Sequence, residues 1–115
     1  MQYMLLIYSD PAAQAASEAQ PAEARYAPWI AYSKALREAG AMVGGNELAP
    51  PATATTLRLR DGRRQVQDGP VAASKEQLGG YYIIEAPDLD TALDWAARCP
   101  AAAYGSLEVR PLGGM

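Results

Sequence analysis

The stretch GGYYIIEAPDLDTALDWAARCP, residues 79–100, constrains the fold more than any other part of the chain. Its first eight residues are an apolar run of strand length, rich in aromatic and β-branched side chains. The remainder has a helical period. Asp88 stands at the N-cap, Leu89, Ala92, Leu93 and Ala96 share one face, and Pro100 stops the helix. A strand that runs straight into an amphipathic helix must lay that helix back on a sheet, which predicts layered α/β packing. YGSLEVRP, residues 104–111, then supplies a return strand with Leu107 and Val109 on one face and Ser106, Glu108 and Arg110 on the other.

The N-terminal half has the same rhythm. QYMLLIY, residues 2–8, predicts a covered strand, and the small, polar stretch that follows has no hydrophobic period and predicts a loop leading at most into a first helical turn. Tyr26, Trp29, Ile30, Ser33, Leu36 and Arg37 form a helical stripe ending at Gly40, with the regular helix expected to start at Pro28. AMVGGNEL predicts a short strand. TTLRLR and RRQV flank Asp61-Gly62, whose two residues tolerate the positive φ of a tight hairpin turn. The order strand, helix, strand, hairpin, strand, helix, strand predicts one α+β domain over residues 1–115. It is a ferredoxin-like sandwich with an inserted β-hairpin and helices on one sheet face. One face is left without helices, and Tyr3, Tyr8, Tyr81 and Ile83 make part of it apolar, so a second copy of the chain is the expected cover.

Composition narrows the function classes. A net charge of −3 argues against a nucleic-acid surface. An apolar start of only a few residues, without a basic leader, argues against a signal peptide or membrane span, so a cytoplasmic protein is expected. There is no histidine and one cysteine, Cys99. That leaves no metal or cofactor expected, since Asp88, Asp90 and Asp94 are what a helix N-terminus attracts anyway. Cys99 reads as a packed thiol.

Candidate residues cluster in three places. Asp68-Gly69-Pro70 is an Asx-type corner or, if Asp68 is buried, an acid/base group. Ser74-Lys75-Glu76-Gln77 has capping-box spacing, which predicts a single capped turn leaving Glu76 free to border a cleft. Tyr81, Glu108 and Arg110 share a sheet face. They make either a ligand site, with Arg110 offering a planar fork to a carboxylate, or an inter-subunit salt bridge.

The segments YMLLIY, GGNEL, PPATATTLRLRDGR, QDGP, KEQLGGYYIIEAPDLDTALDWAAR and YGSLEVRP together resemble the YCII-related family, in its DGPF-domain branch, over essentially the whole chain. The name-giving tetrapeptide here reads Asp68-Gly69-Pro70-Val71. The resemblance implies a dimeric α/β barrel with a cleft in each protomer, and no established reaction. Some relatives are thought to use a His-Asp pair, which this chain lacks, having no histidine and Cys99-Pro100 where their Asp-Pro step falls. Two functions follow. One is a homodimeric small-molecule-binding or regulatory module, with Tyr81, Arg110, Glu108 and Glu76 around a small anionic ligand. The other is a cofactor-independent enzyme doing acid/base chemistry on an enol, lactone or small carboxylate, with Asp68, the catalytic candidate, or Glu108 as base and Arg110 holding an anionic substrate.

Overall fold

The computed structural model describes residues 1–114. Six strands and three helices run in the order β1 (Gln2–Ser9), α1 (Pro11–Glu18), α2 (Ala22–Glu38), β2 (Met42–Glu47), β3 (Thr55–Arg60), β4 (Arg63–Asp68), β5 (Gln77–Glu85), α3 (Leu89–Arg98) and β6 (Ser106–Pro111). Short 3-10 turns at Pro51–Thr53 and Pro100–Ala103 follow the prolines that begin them. The main sheet has the order β2-β5-β1-β6, and all three pairings are antiparallel. β1 and β2 therefore run parallel on either side of β5, as β5 and β6 do on either side of β1. These are two interlocked split βαβ units, the ferredoxin-like arrangement.

Alternation along β1 decides which side is the core. Tyr3, Leu5 and Ile7 are buried, and they meet Ile84 of β5, Tyr32 and Leu36 of α2, and Ala92 and Ala96 of α3. The helices thus lie on one face. Tyr3 belongs to that packed face, not to the helix-free one expected to carry it. The free face is built from Met4, Leu6, Tyr8, Tyr81 and Ile83, as the register of β1 with β5 requires.

Four local expectations are corrected. The polar stretch after β1 is the helix α1, because the Asp10 carboxylate accepts from the Ala13 amide at 2.7 Å and Pro11 stands in the first turn. α2 begins at Ala22, six residues before Pro28, and holds that proline in its interior. Ser74–Gln77 is no helical turn: Ser74 Oγ donates to the Glu76 carbonyl at 2.6 Å, and Gln77 already opens β5. Leu93 is 46% exposed, so α3 buries its alanines and not its leucines.

β3 and β4 form a separate two-stranded arm, joined by Asp61 and Gly62 at φ 52° and 74°. At its root the Gly69 amide donates to the Ala54 carbonyl at 2.7 Å and Thr56 Oγ1 donates to the Gly69 carbonyl at 2.8 Å. The arm projects. The radius of gyration is 15.9 Å, where a compact chain of this length has roughly 13 Å. No helix among the described residues is long and apolar enough to cross a membrane.

Candidate functional site

A partly open cavity of about 1180 Å³ lies on the helix-packed face between α1, α2 and the β2–β5 edge of the sheet. Its origin is legible in α2. The buried residues of that helix are Tyr32 and Leu36, both after Pro28, while the first turns bury none. That end of the helix is held to the sheet by Tyr26, whose Oη donates to Glu47 Oε2 of β2 at 3.1 Å. The gap beneath is the cavity.

Its wall is aromatic. The rings of Trp29 and Tyr82 lie nearly parallel, 8° apart, with centroids 6.5 Å from each other. Gly45 gives Tyr82 this room, since a Cβ there would stand 2.7 Å from the Tyr81 carbonyl oxygen and 3.1 Å from the Tyr82 ring. Ser33 Oγ and Tyr82 Oη share a 2.8 Å hydrogen bond. Burial holds the Tyr82 phenol above its usual pKa, against the opposing effects of the Ser33 bond and the Arg37 charge. At neutral pH this hydroxyl pair offers donors and acceptors but no base.

The cavity also contains two cations. Arg25, Trp29, Ser33 and Arg37 follow one another at intervals of four along α2, and all four line the cavity. The Arg25 guanidinium carbon sits 4.7 Å from the centroid of the Tyr26 ring, and its Nε is buried without a hydrogen-bond partner. Among the described residues neither arginine is ion-paired with a carboxylate.

The five residues singled out from sequence fall elsewhere, with Tyr81 alone among them bordering the cavity. Tyr81, Glu108 and Arg110 do share the helix-free face. Tyr81 is opposite Leu6, which is opposite Glu108, and Arg110 is opposite Met4. Tyr81 Oη accepts from Asn46 Nδ2 at 3.0 Å, and Arg110 Nε is ion-paired with Glu108. Glu76 joins this face at its edge, accepting from Ser106 Oγ at 3.1 Å. Asp68 is apart from all of them, exposed at the root of the arm. The corner there is closed by Thr56 and the Gly69 backbone, with Gly69 at φ 96°.

Cys99 is buried at the end of α3, where burial pushes its thiol up to about 11, away from the reactive thiolate. Sequence reasoning misses Arg25 because the apolar stripe begins at Tyr26 and the regular helix is expected only from Pro28, whereas α2 begins at Ala22. The spacing of four from Arg25 to Arg37 was the signal that could have found it.

Comparison with known proteins gives the family. The YCII-related domain matches residues 1–114. An uncharacterised protein of Rhizobium meliloti (strain 1021) is 39% identical over 114 residues, covering 97% of this chain and 92% of its own length. The chain belongs to the YCII-related family.

Proposed function

We propose that this member of the YCII-related family is a homodimeric small-molecule-binding module that holds its ligand between α1, α2 and the β2–β5 edge. The observation that carries the reading is the aromatic wall of Trp29 and Tyr82 in a cavity of ligand size. Flat apolar surface with a few convergent polar groups is what small-molecule sites offer. Binding is favoured over acid/base catalysis because Asp68 stands on the arm, outside the cavity, and the Asp10, Glu18 and Glu47 carboxylates within it each already accept from a protein donor.

In this reading the ion pair of Glu108 and Arg110, with Tyr81 and Glu76 nearby, faces a second copy and sets the register of two sheets. The half-buried Met4, Leu6 and Ile83 on the same face support that assignment. Dimerisation through these faces gives the barrel expected from the resemblance, with one ligand cavity in each protomer.

The test is a thermal-shift screen of small carboxylates, lactones and phenols, followed by amide NMR with any compound that raises the melting temperature. Shifts confined to residues 25–47 and 77–82, and lost in Trp29→Ala, are expected. A panel without binders overturns the reading. So do shifts centred on Glu108 and Arg110, which would move the site to the helix-free face.

A further inference from the structure

We infer that the cavity is an anion seat built on Arg25, and that its ligand class is a planar carboxylate. The ring lies on the Trp29–Tyr82 wall, and the carboxylate pairs with the Arg25 guanidinium. This rests on the cavity reading above and adds the chemistry of the occupant.

The acids and the arginines of the cavity differ in how they are engaged. Asp10 accepts from the Ala13 amide, Glu18 from Gln14 Nε2 and Glu47 from Tyr26 Oη. Each carboxylate has a protein partner. Arg25 has a buried Nε–H with none, and no carboxylate pairs with Arg25 or Arg37 among the described residues. A buried donor is satisfied in nearly all folded proteins, and a guanidinium cannot relieve the cost by losing its proton. The guanidinium as a whole lines the cavity without an ion-pair partner, so an anion entering from solution meets an uncommitted cation there.

The geometry selects the kind of acceptor. The two Nη groups form an end-on fork that matches the two oxygens of a carboxylate. One turn along α2 the fork gives way to Trp29, and one turn further to Ser33 with its hydrogen bond to Tyr82. An anion at Arg25 thus has a flat apolar surface beside it and a hydroxyl pair beyond, the complement of an aromatic or enolic carboxylate with a polar substituent. Arg37, at the far end of the row, adds positive potential without crowding the seat.

The probes are benzoate, its neutral isostere benzamide, and acetate, titrated into Trp95→Phe protein in which Trp29 is the sole tryptophan. Calorimetry on the unaltered protein accompanies the fluorescence. Benzoate should perturb Trp29 and bind at least about tenfold more tightly than benzamide or acetate, as charge-assisted bidentate pairing and ring contact require. Arg25→Met, with its fold checked by circular dichroism, should lose that advantage, Arg25→Lys should recover part of it, and Arg63→Met on the arm should retain it all. Equal affinity for benzoate and benzamide, or an Arg25→Met protein that binds benzoate undiminished, overturns the anion seat and leaves the cavity reading standing. Acetate binding as tightly as benzoate overturns the planar class. If no probe perturbs Trp29 or releases heat, both readings fall.

Discussion

Thr56 and Asp68 show how a residue's role depends on partners that sequence proximity does not reveal. The Asp-Gly-Pro corner reads as an Asx turn, yet the hydroxyl that closes it comes from Thr56, buried twelve residues before Asp68, while the Asp68 side chain is exposed. Asp68→Asn should therefore leave the urea midpoint almost unchanged, within about 0.5 kcal/mol, as surface substitutions usually do. Thr56→Val keeps the shape but strips the Gly69 carbonyl of its side-chain donor, which should cost about 1–3 kcal/mol. Equal effects of the two changes would mean that the carboxylate does close the corner. Asp61-Gly62 was legible from sequence because its geometry is local: both positions need positive φ, and both have it. Arg25 was not legible, because what marks it is the lack of a partner for a buried atom, a property of the folded surroundings alone.

At the scale of the elements, period and punctuation placed every strand of the main sheet and the cap of α3, where the Asp88 carboxylate accepts from the Thr91 amide at 2.8 Å. What periodicity did not decide was rotation. Leu89, Ala92, Leu93 and Ala96 span one broad face, and either its leucine side or its alanine side can be turned inward. The sheet settles it: Tyr3 and Tyr32 already fill the core with rings, so α3 approaches through Ala92 and Ala96, while Tyr32 Oη donates to the Trp95 carbonyl at 2.7 Å. Leu36 on α2 is fully buried, whereas Leu93 is half-exposed. Leu36→Ala should cost about 2–5 kcal/mol, and Leu93→Ala much less, about 1 kcal/mol. Urea denaturation of both variants measures the contrast, and comparable losses would show that α3 presents its leucine side to the core. The interior Pro28 hid the first turns of α2 in the same way. A proline lowers helix propensity but does not forbid a helix when a tie such as Tyr26 to Glu47 holds the turns before it.

The whole molecule is a thin plate with extents of 48, 41 and 19 Å, and this shape argues for a second copy. One broad side of the sheet carries Met4, Leu6 and Ile83 with no helix over them. The projecting arm is partly amphipathic as well: Leu57, Leu59 and Val66 share one face with Arg64 at 57%, 63% and 63% exposure for the three apolar residues, and Arg58, Arg60, Arg63, Gln65 and Gln67 line the other. Residues 55–68 hold four arginines and two aspartates, net +2, which leaves the rest of the chain at −5 and able to attract the arm of a neighbour. Light scattering at micromolar concentration should give twice the 12.2 kDa chain mass. Leu6→Lys, which places a charge in the middle of the proposed sheet-to-sheet contact, should give folded monomers by the same measurement, while Leu57→Lys should weaken the dimer without abolishing it. A wild-type mass of one chain across that range would sink the homodimer. A dimer that survives Leu6→Lys but dissociates with Leu57→Lys would instead assign the contact to the arm, and the paired sheets of a barrel would not form.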